Sequence, residues 1–341
     1  MNRFLRISLI SAVVSAVVYV GAALVMVFWP APTFDTDPFP ALQNGPVEYT
    51  PLQFTMRDGE MLFARQYPAD ADRTILLLHG VTADSSAFNP GVAMLQEASG
   101  AELIALDLRG HGQSGGERGD IDYIGQYQDD VADVLAALRA ERPHNRILLA
   151  GHSMGGGIAL QYGMLEDAPV VDGYLMFAPH LGSDAPTMPQ PDPKTAELAA
   201  AYSQLHVPRL IGLIMLNSVR ITALEHLDTL FFNLTDEVTH TYSFAATANS
   251  SPQDCAAGLA AVDAPLLVVV GENDEAFVAE AYPTAVTAHS AGEVHIIDDV
   301  DHNGILRSRE AMMIIENWLD ETQPAADQSV PATVADDLSL P

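Results

Sequence analysis

One cysteine, Cys255, and one lysine, Lys194, stand among 341 residues. A lone cysteine excludes any disulfide within the chain and leaves the redox compartment open, so a packed thiol is the expected state of Cys255. Basic residues are scarce: 15 against 45 acidic ones, for a net charge of −30. That balance excludes a nucleic-acid partner, which would need clustered Lys and Arg to hold phosphates. Acidity of this degree marks a well-solvated surface and by itself carries no mechanism. Metal-ligand spacing such as His-Glu-x-x-His is also missing, so no metal site is expected. Global disorder is excluded in turn by a hydrophobic share of 48%, in a chain long enough for one large α/β domain with an insertion.

Charge is absent altogether from Ile7 to Trp29, a run long enough to cross a bilayer as a helix. Arg3 and Arg6 precede it and Asp35 and Asp37 come after it, which puts residues 1–6 in the cytoplasm and the chain beyond Trp29 in the periplasm or outside the cell. A cleaved signal peptide is the rival reading, with Gly21-Ala22-Ala23 as a weak cleavage site, but its apolar core is usually only about 7 to 15 residues. The reading adopted is a single-pass anchor over 7–29. A stiff, extended spacer succeeds it over 30–46, where five prolines fall.

Beyond it, Val47 to Met56 and Leu62 to Tyr67 flank an Asp58-Gly59 turn and read as an antiparallel hairpin. Short apolar runs then recur at Thr74–Leu78, Glu102–Leu106, Arg146–Ala150, Gly173–Phe177, Leu266–Val270 and Val294–Ile297. Most are separated by helical patterns, the clearest being Ile124–Glu141 and Ser153–Glu166. Such alternation predicts a mostly parallel, doubly wound α/β sheet, with a core over 47–180 and 260–321. Between Phe177 and Leu266 the alternation stops, and a helical insertion over 181–259 is expected, with helical runs at Lys194–Leu205 and Leu210–Leu234. Its run Leu210–Leu216 is too short to span a membrane, and its apolar side chains are expected mainly in the insertion's own core. Residues 322–341 turn to Pro, Ala, Asp and Ser without periodicity and read as a disordered acidic tail.

The most informative stretch runs from Ile147 to Gly157, where a buried strand passes through Gly151-His152-Ser153-Met154-Gly155 directly into a helix. A nucleophilic serine needs this setting: the sharp turn strains Ser153, and Gly151 and Gly155 remove side chains that would clash as the chain closes on itself. The pattern Gly-x-Ser-x-Gly alone is weak, with about 0.1 chance matches expected at usual composition. A second match, Gly112-Gln113-Ser114-Gly115-Gly116, has neither strand before it nor helix after it and reads as a glycine-rich loop.

A serine hydroxyl becomes reactive beside a base, which itself needs an orienting carboxylate. Among the histidines after Ser153, His302 follows the last strand across Asp298-Asp299-Val300-Asp301 and precedes the last helix, at the carboxyl edge of the sheet. His295 lies within a strand, and His180 and the histidines of the insertion are plausible only as pocket lining. For the acid, Asp274 closes Val270-Gly271-Glu272-Asn273-Asp274, with Glu272 and Glu275 as substitutes. Asp298, Asp299 and Asp301 read as turn and cap residues. An oxyanion would be held by the amides of Met154 and Val81, with Gly80 letting the backbone approach and His79 serving structure.

Together, His79-Gly80, Asp107-Leu108-Arg109-Gly110-His111-Gly112-Gln113-Ser114, Gly151-His152-Ser153-Met154-Gly155, Gly271-Glu272-Asn273-Asp274 and His302 resemble the α/β-hydrolase superfamily. The likeness is to its monoacylglycerol-lipase and lysophospholipase branch, over roughly Leu52 to Leu319. The resemblance implies a Ser153, Asp274, His302 triad without cofactor, an acyl-enzyme intermediate, a lid over the site, and a lipid or small ester as substrate. Serine aminopeptidases share the fold and the triad, with Glu197 or Glu225 as possible amino-terminus binders, and a binding protein that kept the fold is the third reading. Oligomeric state is not legible.

Overall fold

The computed structural model describes residues 3–190 and 196–322. Helix α1 (Arg3–Val27) leads through an extended segment to the antiparallel hairpin of β1 (Thr50–Thr55) and β2 (Met61–Tyr67). Its turn requires Gly59 at φ +91°, a conformation that glycine adopts freely. Next come β3 (Arg73–Leu78), α2 (Val92–Ser99), β4 (Glu102–Leu106), α3 (Gln126–Glu141), β5 (Arg146–His152), α4 (Met154–Gly163) and β6 (Gly173–Phe177). The chain then leaves the sheet for α5 (Ala196–Tyr202), β7 (Ser203–Leu205), α6 (Val207–Ser218), β8 (Asp228–Phe232), β9 (Thr241–Ser243), α7 (Phe244–Ala248) and α8 (Cys255–Ala260). It returns as β10 (Leu266–Gly271), α9 (Tyr282–His289), β11 (Glu293–Ile297) and α10 (Arg309–Glu321).

The main sheet has eight strands in the order β1-β2-β4-β3-β5-β6-β10-β11, antiparallel only where β2 meets β1 and β4. This is the α/β-hydrolase fold, and the alternation expected from sequence is realised in it. Because helices cover both faces, the central strands are apolar at nearly every position. Leu76, Leu78, Leu149 and Val268 pack toward α3 and α4, while Ile75, Leu77, Leu148 and Val269 pack toward α2 and α10. Each fully buried side chain of this kind contributes about 1.5–3 kcal/mol. The rigid slab that results holds every β-to-α loop at one edge.

The insertion departs from the expected helices. The helix expected over Leu210–Leu234 ends at Ser218, where the chain turns through Arg220 at φ +63°. Asp228–Phe232 is a strand, paired antiparallel with β7 and β9, so Ser203–Leu205 is also strand rather than the end of a helix. Thr229, Phe231 and Phe232 suit a pleated, half-buried surface, and tertiary pairing overrides the helical spacing. Lys194 lies outside the described residues.

Residues 30–46, read from sequence as a spacer, are tied to the core. Phe39 donates its N–H to the Asn233 carbonyl at 2.8 Å and accepts from Thr235 N–H at 3.2 Å, and Asn89 Nδ2 donates to the Gly45 carbonyl at 2.7 Å. The residues between the prolines supply the pairing. The tail reading falls on residues beyond 322 and lies outside the described residues.

Candidate active site

Four loops of the carboxyl edge build the site. At the end of β5, Ser153 adopts φ +53° and ψ −117°, a backbone conformation that costs about 1–3 kcal/mol and persists only where neighbours enforce it. They do so by backbone hydrogen bonds: Ser153 N–H donates to Phe177 O at 3.0 Å, and Ser153 O accepts from His180 N–H at 2.9 Å. The glycines flanking it are required by close approach. A Cβ on Gly151 would lie 2.4 Å from Gly155 C, and one on Gly155 would lie 2.1 Å from the Leu78 carbonyl oxygen at the end of β3. Helix α4 starts immediately after, with its N-terminus beside the serine.

His302 follows β11 and Asp274 follows β10. The His302 Nδ1 to Asp274 Oδ2 distance is 2.8 Å, with the carboxylate side chain fully buried. Asp274 is aimed by its own backbone, since its other oxygen accepts the N–H groups of Ala276 and Phe277, both at 2.8 Å. With Asp274 accepting at Nδ1, the imidazole carries its proton there and leaves Nε2 free as a base. Ser153 is 8% exposed and His302 7% exposed, at neighbouring loop ends. Among the described residues, no hydrogen bond joins the Ser153 hydroxyl to the His302 ring, whose Nδ1 is engaged by Asp274.

His302 is further fixed by two residues that the sequence did not mark for this purpose. Glu275 Oε2 accepts its backbone N–H at 3.0 Å, so Glu275 engages the main chain while Asp274 engages the ring. His152 Nε2 donates to its carbonyl at 3.0 Å, with the two rings 4.7 Å apart. Burial, reinforced by His302, pushes the His152 ring down to about 3, which keeps it neutral and able to donate. Chain order points only to histidines after Ser153 as bases, so nothing in the sequence singled out His152. Phe277 packs its ring against His302 at 5.4 Å and against His180 at 5.5 Å.

The loop after β3 lies against the serine: a Cβ on Gly80 would be 3.2 Å from Ser153 Cβ. Among the described residues, neither the Val81 nor the Met154 N–H has an acceptor in the protein, which leaves both amides available to an oxyanion. Thr82, at φ +61°, donates its N–H to Tyr242 Oη at 2.7 Å, and Tyr242 in turn bonds His111 Nε2 at 2.9 Å. The insertion thus braces the loop after β3. His79 is structural as read from sequence, with Nε2 accepting from Leu108 N–H and Nδ1 bonding Gly80 O at 2.8 Å.

The remaining marked residues do not join the site's chemistry. The second Gly-x-Ser-x-Gly is a loop held by Asp107, whose Oδ2 accepts Gln113 N–H at 2.7 Å. Arg109 is locked to Asp130 and Asp58. Glu272 Oε2 accepts Asp299 N–H and Asp301 Oδ1 accepts Gly304 N–H, both loop bonds. His295 pairs with Glu293 on β11. His206 caps α6 and bonds the Trp29 carbonyl at 3.0 Å. Glu225 is bonded to Asn217, and Glu197 is exposed on α5.

A family model described as "Serine aminopeptidase, S33" matches residues 69–305. The monoacylglycerol lipase of Mycolicibacterium smegmatis is 33% identical over 94 residues, 28% of this chain and 33% of that protein. The human monoglyceride lipase is 33% identical over 107 residues, 30% of this chain and 34% of that protein. The matched segments thus span about a third of these relatives. Among solved structures, a thermophilic esterase from Thermogutta terrifontis aligns with a TM-score of 0.55 at 19% identity, over 80% of this chain and 99% of that one. A Pyrococcus furiosus esterase aligns with a TM-score of 0.55 at 15% identity, over 85% and 99%. Likeness at these identities shows the fold.

Proposed function

We propose that this chain, which belongs to the serine aminopeptidase S33 family on the α/β-hydrolase fold, is a serine hydrolase that cleaves carboxylic esters of monoacylglycerol or lysophospholipid type. Ser153 attacks the carbonyl carbon while His302 Nε2 takes the hydroxyl proton, and Asp274 stabilises the imidazolium. The Met154 and Val81 amides hold the oxyanion. His302 then returns the proton to the departing alcohol, leaving an acyl group on Ser153 that water removes by the same steps in reverse.

The observation that carries this reading is the 2.8 Å bond between His302 Nδ1 and a fully buried Asp274, at the sheet edge where Ser153 is held at positive φ. The lipase relatives and the apolar residues around the insertion support a monoacyl lipid as substrate, with the insertion over 181–259 acting as lid. Helix α1 serves as a single-pass anchor that leaves the catalytic domain on the periplasmic or outer side, in line with Arg3 and Arg6 before it.

The test is covalent labelling by a fluorophosphonate, combined with a panel of a monoacylglycerol, a lysophospholipid, a short-chain ester and an aminoacyl amide. Labelling that vanishes in Ser153→Ala, with kcat down at least about 10³-fold on the esters, is expected. Equal labelling of the variant would refute the nucleophile. The family description favours an aminopeptidase as second reading, and preference for the aminoacyl amide would establish it.

A further inference from the structure

Val81, whose amide is proposed to hold the oxyanion, belongs to a four-residue turn that Ala83 N–H closes on the Gly80 carbonyl at 3.3 Å. Thr82 occupies the third position of that turn at φ +61°, where glycine or asparagine is usual and a β-branched residue is strained. Local preference does not hold it there. The restraint comes from outside the loop, since Thr82 N–H donates at 2.7 Å to Tyr242 Oη, on β9 of the insertion.

The bonds around Tyr242 have fixed directions. A carbonyl only accepts, so His111 Nδ1, 2.9 Å from the Arg109 carbonyl, carries the ring proton and leaves Nε2 as an acceptor. Burial pushes the His111 ring down to about 3 and keeps it neutral. Tyr242 O–H therefore donates to His111 Nε2 at 2.9 Å, which leaves its oxygen to accept from Thr82. The strand that carries it is seated as firmly. Ser243 N–H donates to the Gly119 carbonyl at 2.9 Å, and Thr239 Oγ1 donates to the Gly110 carbonyl at 3.0 Å. On the core side, His79 Nδ1 donates to the Gly80 carbonyl at 2.8 Å. Val81 thus lies between one anchor from the core and one from the insertion.

Rotation of the Val81–Thr82 peptide would relieve Thr82 by returning its φ to negative values. The same rotation turns the main chain at Val81, because the ψ of Val81 and the φ of Thr82 flank one rigid plane. We infer that Tyr242 is a positioning residue of the proposed oxyanion site: its hydroxyl holds Thr82 in the left-handed conformation and so fixes Val81. The seated insertion then takes part in the chemical step, a role that covering the site does not require. The inference rests on the hydrolytic reading.

Tyr242→Phe removes the hydroxyl and keeps the ring, which packs edge-on against Phe232 at 6.0 Å. The full-length chain is assayed with p-nitrophenyl butyrate and with a trifluoromethyl ketone, whose adduct on a serine is an oxyanion. Active serine is counted by fluorophosphonate labelling. kcat per active serine should fall roughly 5- to 30-fold with KM little changed, the population factor for a non-glycine residue in this conformation. Affinity for the ketone should fall alongside kcat. Introduced into the Thr82→Gly chain, Tyr242→Phe should cost less than about threefold, because glycine adopts positive φ without being held. A general packing defect would not be rescued in this way. Should Tyr242→Phe fail to fold by circular dichroism, Thr239→Val, which loosens β9 and leaves Tyr242 whole, should show the same loss and the same rescue. Unchanged kcat and ketone affinity, a loss confined to KM, or an equal loss in the Thr82→Gly chain overturns the inference and leaves the hydrolytic reading. Absence of labelling and turnover in the unaltered chain overturns both.

Discussion

The neutral ring of His152 donates a hydrogen bond to the backbone carbonyl of His302, 3.0 Å away, so the residue before Ser153, the proposed nucleophile, positions the proposed base. Together with Glu275 on the His302 N–H, it fixes both sides of one residue and leaves the imidazole only rotation within its bond to Asp274. Replacing His152 by Ala should lower kcat on a soluble ester about 10- to 100-fold with little change in KM, the cost of a small misplacement of a catalytic group. His152→Asn, which can restore a donor, should recover part of the loss. Steady-state kinetics check this, and an unchanged kcat in the Ala variant would remove His152 from the positioning set.

Asp274→Asn keeps the size of the side chain but alters what it offers. Its oxygens accept from His302 Nδ1 and from the amides of Ala276 and Phe277, and an amide cannot satisfy all three. The imidazole would be left in the wrong tautomer, and kcat should fall about 10³- to 10⁴-fold while thermal stability changes little. Comparison of kcat with Tm separates the two effects.

Gly155→Ala puts a methyl 2.1 Å from the Leu78 carbonyl oxygen and 2.7 Å from that of His79. Both are backbone atoms at or just after the end of β3 and cannot step aside without shifting the strand-to-helix turn at Ser153. A loss of about 1–3 kcal/mol of stability is expected by overpacking, together with loss of fluorophosphonate labelling. Denaturant unfolding and labelling rate are the readouts.

Acid should destabilise the fold well before the carboxylates titrate. Burial holds His111 and His152 near about 3 and His180 near about 4, against about 6.5 in the unfolded chain. Folded-state values below the unfolded one mean that the unfolded chain binds more protons throughout this interval, so stability is full above pH ~6.5 and is lost as pH falls toward ~3. Urea midpoints measured from pH 7.5 to 4.5 should decline steadily, and His111→Gln should flatten the decline.

Removing Arg109 should be costly although it lies outside the site. Its guanidinium is bonded to Asp130 at 2.7 Å and to Asp58 at 2.9 Å, and the Asp130 side chain is only 4% exposed. Arg109→Ala strands a buried carboxylate and should cost about 3–5 kcal/mol. Replacing Asp130 together with Arg109 by apolar residues should return much of it, as a double-mutant cycle in denaturant would record.

The sheet was legible in the sequence because parallel strands buried on both faces must be apolar throughout, as Leu76-Leu77-Leu78 and Val268-Val269-Val270 are. The strand-to-helix turn was legible because Gly151 and Gly155 flank Ser153 where only glycine fits the closing backbone. Order along the chain and position at the carboxyl edge singled out His302 and Asp274 as candidates. What sequence left open was every relationship between segments distant along the chain. Whether Asp274 or Glu275 turns to the ring, that His152 grips the His302 carbonyl, and that Tyr242 reaches the loop of Thr82 depend on side-chain directions that spacing does not encode. Asp228–Phe232 is a strand only because Ser203–Leu205 and Thr241–Ser243 offer it edges to pair with. The same holds at the amino end: twenty-three uncharged residues determine an apolar helix, but only packing decides that Gly212 of a distant helix meets Ala23. Local composition sets which backbone forms are possible, and burial against partners that arrive later in the chain selects among them.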